Sequence, residues 1–272
     1  MNERNPKVAE QAAEDRSLAE QLRKETAAPS RIARYALMPV LLALIVLGLY
    51  LYISGLELDV IEQRRLNWPF IRARLIEHIW ISAIATAGIV GIAVPLGVAL
   101  TRPWAKRFTP IAVNLANGGQ AIPSLGVLAL LFLIFRPFGV SPLQIAIVAL
   151  IIYGILPVLR NTLVGIQQVD PFEIEAGLGM GMTRRQVLWQ IELPLAVPVI
   201  LAGVRVSLIL AVGTATLAWV VGAGALGSII QVGISLRRMP VLIAGAVLTA
   251  VLALFIDWLA GVVEDVLRPR GL

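Results

Sequence analysis

The sequence predicts an all-α polytopic membrane protein, with about six transmembrane helices and a folded polar segment between two of them. The first observation is the composition: 58% of the 272 residues are hydrophobic, 15% are charged and the mean hydropathy is +0.84, which is too apolar for a soluble domain. The second is that the apolar residues form runs long enough to cross a hydrocarbon core of about 30 Å. The third is the polar stretch 170–194, here called the elbow, whose helix caps indicate a compact structure.

The apolar runs and the polar segments between them divide the chain into three parts. Residues 1–35 form a predicted cytoplasmic tail, which is not a signal peptide because the apolar run begins only after it. Residues 36–77 hold the first span and a charged amphipathic segment, expected to lie along the outer membrane surface as a short helix. Residues 78–272 form the core. The predicted spans are 36–53, 79–100, 111–135, 143–166, 195–220 and 241–263.

The core contains two irregular stretches. The third span is interrupted by the polar run 114–120 and by Pro123. Residues 222–236 are glycine-rich and apolar but too few to span the membrane readily as a helix. A re-entrant or interfacial segment is therefore expected there. His78, at the outer end of the second span, is expected to be an interfacial residue.

The net charge of +6 is attributed to topology rather than to nucleic-acid binding, because Lys and Arg remain on the cytoplasmic side of membrane proteins. The proposed inner segments hold 15 Lys and Arg, a count that includes Arg160 near the inner end of span four, and the outer segments hold seven. This bias predicts a multi-pass protein of the plasma (inner) membrane with both termini in the cytoplasm. Four of the seven outer residues, Arg64, Arg65, Arg72 and Arg74, lie in the segment 55–77.

The elbow begins with a short predicted helix. Asp170 can cap its N-terminus, Pro171 suits the first helical position and Glu173 stands three residues after the cap. The helix is therefore expected to run from the cap to about Leu178.

A glycine turn and a second helix complete the elbow. Gly179 and Gly181 supply a turn in which positive φ costs little. Thr183 and Gln186 have the spacing of a capping box, which predicts a second helix that runs to about Ile191. Pro194 is expected to end that helix.

The spacing within the elbow resembles the EAA loop of permeases from ATP-binding-cassette (ABC) importers. That pattern is Glu-Ala-Ala, three residues, Gly, nine residues and Ile-x-Leu-Pro, and the elbow has Glu175-Ala176-Gly177, Gly181 and Ile191-x-Leu193-Pro194 at the same spacing. Only Gly177 departs from it. The resemblance implies the type I importer permease fold, in which this loop is the coupling helix and sits in a groove on a cytoplasmic ATPase. Its predicted coupling residues are Phe172, Glu175, Ala176, Gly177, Met180, Gly181 and Met182.

Local stretches narrow the resemblance to osmoprotectant permeases, which serve uptake of glycine betaine, choline and carnitine. Residues 120–125 (QAIPSL) look like the QTIPSLA stretch of those permeases. Ala121 and Trp219 depart from the pattern. The resemblance covers roughly residues 76–236, and its other matching stretches are 101–102, 159–162, 169–171, 192–196, 213–218 and 222–227.

The resemblance implies partners that supply the energy. The chain has no Gly-x-x-x-x-Gly-Lys-Ser/Thr loop, so ATP and magnesium are expected on a partner ATPase and no cofactor in this chain. The implied assembly holds two ATPase subunits, a second permease subunit of the same or a homologous kind and an extracytoplasmic substrate-binding protein, in the lipid bilayer. With no cysteine and one histidine, no catalytic or metal site is predicted.

A substrate path is expected between the spans, without a tight cage. A quaternary ammonium group is usually held by aromatic faces, and mid-membrane aromatic residues are sparse here. Affinity is therefore expected in the binding protein, with a weak path in this chain. The candidate path residues, for each of which helix packing is the alternative role, are Gln120, Ser124, Tyr153, Thr214, Thr216 and Trp219.

Two charges fall inside predicted spans. Arg205 and Asp257 are expected in the inner halves of antiparallel spans five and six, where they can pair. The alternatives are a carbonyl contact for Arg205 and a position near the inner membrane surface for Asp257.

Two other functions compete with osmoprotectant import. Methionine-type permeases share the five-span core and the elbow, so a methionine or other amino-acid importer is the nearest alternative. An ion-coupled secondary carrier is the alternative of a different class. It predicts acidic residues near the bilayer midplane, and it leaves the elbow without a role.

Overall fold

The structure is a computed structural model that describes residues 31–267, with side chains described for residues 35–266. The predicted tail 1–30 therefore lies outside the described residues. By compactness the chain divides into two units, residues 1–41 and 42–272. The division at residues 35 and 77 stays a prediction.

The described residues form helices joined by short turns, and no strand occurs among them. The helices are α1 (Arg31–Ser54), α2 (Val60–Arg65), α3 (Trp68–Leu100), α4 (Thr109–Ala121), α5 (Ser124–Phe135), α6 (Pro142–Gln167), α7 (Pro171–Gly179), α8 (Arg184–Val187), α9 (Leu193–Ala215), α10 (Gly227–Ser235) and α11 (Met239–Leu267). A π-helical turn, Leu188–Glu192, joins α8 to α9, and a 3-10 turn, Thr216–Val221, follows α9.

The prediction of about six crossings is confirmed. Five helical segments of the described chain are long and apolar enough to cross a membrane, and a bent pair of helices forms a sixth crossing if it is one broken span. The five segments are Tyr35–Ser54, Trp68–Leu100, Pro142–Gln167, Arg184–Val221 and Met239–Val266.

The bent pair is the interrupted third span. α4 and α5 meet at an angle of 97°. Ile122 is extended, with φ −75° and ψ 135°, because the ring of Pro123 disfavours the helical conformation of the residue before it. The 3.6-residue repeat therefore stops at Ala121 and starts again at Ser124.

The second span begins earlier than predicted. Helix α3 starts at Trp68 rather than at residue 79, because Asn67 caps it: its Oδ1 accepts the Phe70 N–H at 2.9 Å. Only Val60–Arg65 of the predicted surface segment 55–77 is a separate short helix. The charged residues 72–77 therefore belong to the long crossing helix.

Helix α6 lies at the centre of the described core and packs against α3, α4, α5 and α9. Ile89 of α3 and Val158 and Leu159 of α6 are fully buried between these helices. Ser207 of α9 donates a hydrogen bond to the Gly154 carbonyl of α6 at 2.5 Å. The crossings on both sides of the elbow are thus bound directly to each other.

The stretch 222–236 is not a full crossing. Helix α10 has nine residues, a rise of about 13 Å, which is less than half of the hydrocarbon thickness. It packs along α11, with Ile229 fully buried in the same cluster as Val241. This agrees with the expectation of a short segment whose backbone other helices cover.

Candidate functional site

The first elbow helix begins at the predicted cap, although Glu173 does not complete a capping box with Asp170. Asp170 Oδ1 accepts the Phe172 N–H at 2.9 Å, and Pro171 occupies the first turn of α7. Gly181 has φ +86°, the left-handed conformation expected of the turn. Gly179 differs from the expectation, because it is the last residue of α7 and has no positive φ.

These two glycines provide a matched test of the turn. A β-carbon added at either position would meet no neighbouring atom within 4 Å, so substitutions differ only in backbone strain. We expect Gly181→Ala to destabilise the protein by about 1–2 kcal/mol, since alanine is strained at positive φ. We expect Gly179→Ala to be neutral or to stabilise by up to about 1 kcal/mol, because alanine favours a helix. Thermal unfolding in detergent checks both, and equal shifts for the two variants contradict the turn assignment.

The second elbow helix starts as predicted but does not end at Pro194. Thr183 and Gln186 form the expected capping box, with the Thr183 N–H donating to Gln186 Oε1 at 2.8 Å. In the π-helical turn that follows, the Leu193 N–H donates to the Leu188 carbonyl. This shift of pattern places Pro194 in the first turn of α9, where its missing N–H costs little. The elbow is therefore continuous with the fifth crossing.

Two of the predicted coupling residues face inward. Gly177 is buried, and a β-carbon there would lie 2.6 Å from Ile191 Cδ1 and 3.3 Å from Val187 Cγ2. Met182 is half-buried, and its Sδ would lie 3.4 Å from the same β-carbon. The departure from Ala at Gly177 thus lets the two elbow helices pack closely. These residues shape the elbow and are not on its outer face.

The other predicted coupling residues form an exposed face. Phe172, Glu175 and Ala176 are exposed on one side of α7, at the i, i+3 and i+4 spacing of a helix face. Phe172 is 77% exposed and Met180 is 76% exposed. Gly181 is exposed beside Met180. Large apolar side chains with this exposure are typical of an interaction surface, and this elbow face is the candidate docking site.

An ion pair between a buried carboxylate and a half-buried arginine ties the elbow to another crossing. Arg102, just after α3, binds Glu192 of the π-helical turn with both ends of its guanidinium, and Nη1 lies 3.1 Å from Oε1. Glu192 is 6% exposed. Arg102 also donates to Thr101 Oγ1 at 2.9 Å. A cleft of about 350 Å³ lies beside the pair and is also lined by Leu178 of α7. Sequence reasoning missed the pair, since its members are 90 positions apart.

The candidate path residues fall into two groups. Gln120 donates from Nε2 to the Tyr153 carbonyl at 2.9 Å, which joins α4 to α6, and Ser124 is half-buried at the start of α5, just after the bend. The other group is half-buried at the end of α9 and in the turn after it, where the Thr216 backbone and the Trp219 ring lie close against Gly227 of α10. This second group is Thr214, Thr216 and Trp219. That both groups line one substrate path stays a prediction.

A polar face that sequence reasoning missed lies on α4. Asn114, Gly118 and Ala121 are exposed and Asn117 is half-exposed, at positions that share one side of the helix. Arg160 of α6 is exposed and donates from Nη2 to Asn117 Oδ1 at 2.9 Å. The run 114–120 carried a signal for this face, since asparagines are unusual in a crossing, but the sequence indicated only an interruption.

The charges in spans five and six form a three-residue cluster. Arg205 Nε lies 2.7 Å from Asp257 Oδ1, so the expected pair is present. Arg205 Nη1 also lies 3.4 Å from Glu264 Oε2. The hydropathy ends the sixth span before Glu264, but α11 continues through this residue and brings it to the face of Asp257, seven positions earlier. The cluster joins α9 to α11.

His78 is not an interfacial residue, contrary to the expectation. It is fully buried, and its Nε2 lies 2.8 Å from the Val212 carbonyl of α9. The reason is the early start of α3 at Trp68, which places residue 78 nearly three turns inside the helix. His78 therefore joins α3 to α9 and is not available as a surface residue.

Comparisons with known proteins agree on one family. The sequence model described as the binding-protein-dependent transport system inner membrane component matches residues 93–269. The chain is 43% identical to a glycine betaine/carnitine/choline transport system permease protein of Bacillus subtilis, over 72% of this chain and 88% of that protein. It is 41% identical to an osmoprotectant import permease protein of Salmonella typhimurium, over 79% and 88% of the two chains.

Solved structures show the same fold. A chain of the MetNI methionine ABC transporter, in an inward-facing conformation, is 24% identical and matches 74% of this chain and 99% of its own length, with a TM-score of 0.64. A chain of a bacterial alginate ABC transporter is 19% identical and matches 89% of this chain and 98% of its own, with a TM-score of 0.59. At these identities the likeness concerns architecture alone.

Proposed function

The chain belongs to the family of binding-protein-dependent transport system inner membrane components, and from this premise we propose that it forms the membrane path of an ATP-driven importer for osmoprotectants such as glycine betaine, carnitine or choline. The observation that carries the transport role is the elbow, a capped two-helix unit with Phe172 and Met180 exposed on its outer face. The substrate class is supported by the relatives, whose names include glycine betaine, carnitine and choline.

The elbow face is the docking surface for an ATPase subunit. Helix-in-groove contacts use apolar anchors on one helix face, and Phe172 and Met180 fit this role. Two ATPase subunits bind ATP and magnesium, while a second permease subunit and an extracytoplasmic binding protein complete the assembly. The elbow and both chain termini then lie in the cytoplasm of a cell whose inner membrane holds the protein, as the Lys and Arg bias supports.

The contacts of the elbow offer a route from ATP binding to the membrane path. Since the elbow continues into α9, a displacement by the ATPase moves the fifth crossing with it. The ion pair of Arg102 and Glu192 transmits the same displacement to α3. Alternating access then follows from movement of these crossings in both permease subunits.

The path itself is a weak binding site. Its polar groups are single side chains such as Gln120, which already donates to a backbone carbonyl, and the sequence supplies few mid-membrane aromatic residues to surround them. Selective capture is therefore assigned to the binding protein. This chain supplies a transient route, for which slow release would be a disadvantage.

A substrate panel tests the proposed function. The chain is reconstituted in liposomes with its ATPase and its binding protein, and initial uptake of labelled glycine betaine, carnitine, choline and methionine is measured with ATP. We expect uptake of one or more of the three osmoprotectants and none of methionine. Uptake of methionine alone would contradict the substrate class and keep the transport role.

A further inference from the structure

Cations within crossings need partners, and Arg160, which stands seven residues before the end of α6 at Gln167, has no ionic partner among the described residues. Among the described residues, only Arg160 and Arg205 are cations that lie seven or more positions inside both ends of a crossing. Arg205 is neutralised by Asp257 and Glu264. For Arg160, no carboxylate of residues 35–266 lies within ion-pair distance. Ionisable groups at such positions usually pair or mark a substrate pathway.

The surroundings of Arg160 fit a water-accessible path and not a lipid contact. It is exposed beside a stripe of α4 that carries the amide side chains of Asn114 and Asn117 and the small residues Gly118 and Ala121. The neighbouring stripe of α4 is apolar, with Ile111 58% exposed and Leu115 73% exposed. A helix with one apolar and one polar exposed stripe places the polar stripe toward a cavity or another subunit, because lipid tails cannot satisfy amide groups.

The contact with Asn117 leaves most of the arginine free to bind an anion. Asn117 Oδ1 accepts from Nη2 at 2.9 Å, so one of the five guanidinium N–H groups is used and the side chain is held in place. The remaining donors form a planar fork that matches the two oxygens of a carboxylate. A lysine at this position would offer a point charge without that geometry.

We propose that Arg160, positioned by Asn117, binds the carboxylate of zwitterionic osmoprotectants on their way through the path. The inference rests on the proposed function and narrows it. Glycine betaine and carnitine carry a carboxylate as well as a quaternary ammonium group, whereas choline carries only the cationic group and a hydroxyl. Arg160 attracts the first two through the carboxylate and repels choline by its charge. It thus gives the zwitterions a contact that choline lacks.

The ratio of glycine betaine uptake to choline uptake tests this proposal. The complete transporter is reconstituted with saturated binding protein, and initial rates are compared for the unmodified chain, Arg160→Gln, Arg160→Lys and Asn117→Ala. Because a hydrogen bond to a charged group is lost, Arg160→Gln is expected to lower this ratio by about tenfold or more. Arg160→Lys and Asn117→Ala are each expected to lower the ratio by a smaller factor than Arg160→Gln. Arg72→Gln is the control. It replaces an exposed arginine near the N-terminal end of α3 and is expected to leave the ratio unchanged.

Other outcomes separate the competing explanations. If the variants lower the uptake of both substrates by one common factor, Arg160 is structural and the proposal is wrong. If the loss depends on the fraction of anionic phospholipid in the liposomes and not on the substrate, a lipid phosphate is the anion that Arg160 binds, and the proposal is also wrong. If the unmodified transporter carries none of the osmoprotectants, the proposed function itself is wrong. This outcome is read from the unmodified transporter alone, without the variants.

Discussion

Replacing Phe172 and Met180 by glutamate abolishes ATP-driven uptake and leaves the chain folded. Both side chains are more than three-quarters exposed, so their substitution removes no internal packing. Buried aromatic anchors of interfaces contribute about 2 kcal/mol or more to binding, and a carboxylate in an apolar groove adds a desolvation cost. The prediction is checked by co-purification of the ATPase with the chain and by uptake in liposomes.

Two variants control this result. Phe172→Leu keeps an apolar side chain at the same place on α7 and is expected to retain most of the uptake. Glu175→Arg reverses a charge on the same exposed face and is expected to impair coupling. Thermal unfolding of all variants in detergent stays close to that of the unmodified chain. Co-purification and uptake at the unmodified level in the glutamate variant would contradict the assignment of the elbow face.

Breaking the ion pair of Arg102 and Glu192 on one side is expected to destabilise the protein strongly. The side chain of Glu192 is only 8% exposed, so Arg102→Gln leaves a buried carboxylate without its cation. Removing one partner of a buried pair costs about 3–5 kcal/mol. Glu192→Gln has a smaller effect, because Arg102 is 26% exposed and reaches water more easily. Thermal unfolding in detergent measures both effects.

The double variant separates stability from coupling. Arg102→Met with Glu192→Leu replaces the pair by apolar side chains, and such replacements are often neutral or stabilising. We expect the double variant to unfold at about the temperature of the unmodified chain. It should transport less substrate for each ATP hydrolysed, because the bidentate contact between Arg102 and Glu192 no longer joins α3 to the elbow. An unchanged ratio of transport to hydrolysis would show that the pair only stabilises the fold.

The absence of cysteine from the chain permits a further control on the same contact. In Arg102→Cys with Glu192→Cys, a short bifunctional thiol reagent joins the two positions covalently. If α3 and the elbow move as one body, the cross-linked protein transports better than the same variant without reagent. If the cross-link stops transport, the two elements must separate during the cycle, and the proposed transmission through this contact is wrong.

Local signals in the sequence were enough to predict that the crossings and the two elbow helices exist, but not where each of them begins or ends. The caps at Asp170 and Thr183 depend on residues at most three positions away, and both form. Gly181 takes the predicted positive φ, because the glycine itself is the local signal for a turn. The pair of Arg205 and Asp257 was predictable from the depth of each residue in two antiparallel spans, which their positions along the chain determine.

The features that the sequence did not predict depend on the tertiary fold. The partner of Arg102 is 90 positions away, and the partner of Arg160 is 43 positions away, and no spacing rule links such residues. The π-helical turn before Pro194 was missed because a proline is ordinarily read as the end of a helix. His78 was misplaced because the cap at Asn67 starts α3 earlier than the hydropathy does.

We expect this chain to carry substrate only when an ATPase acts on its elbow. The most direct measurement is uptake of labelled glycine betaine into liposomes that hold either the complete transporter or this chain alone, with ATP or with a non-hydrolysable analogue. We predict sustained uptake only with the complete transporter and hydrolysable ATP. Equal uptake by the chain alone, indifferent to ATP, would contradict this claim and indicate a carrier driven by an ion gradient.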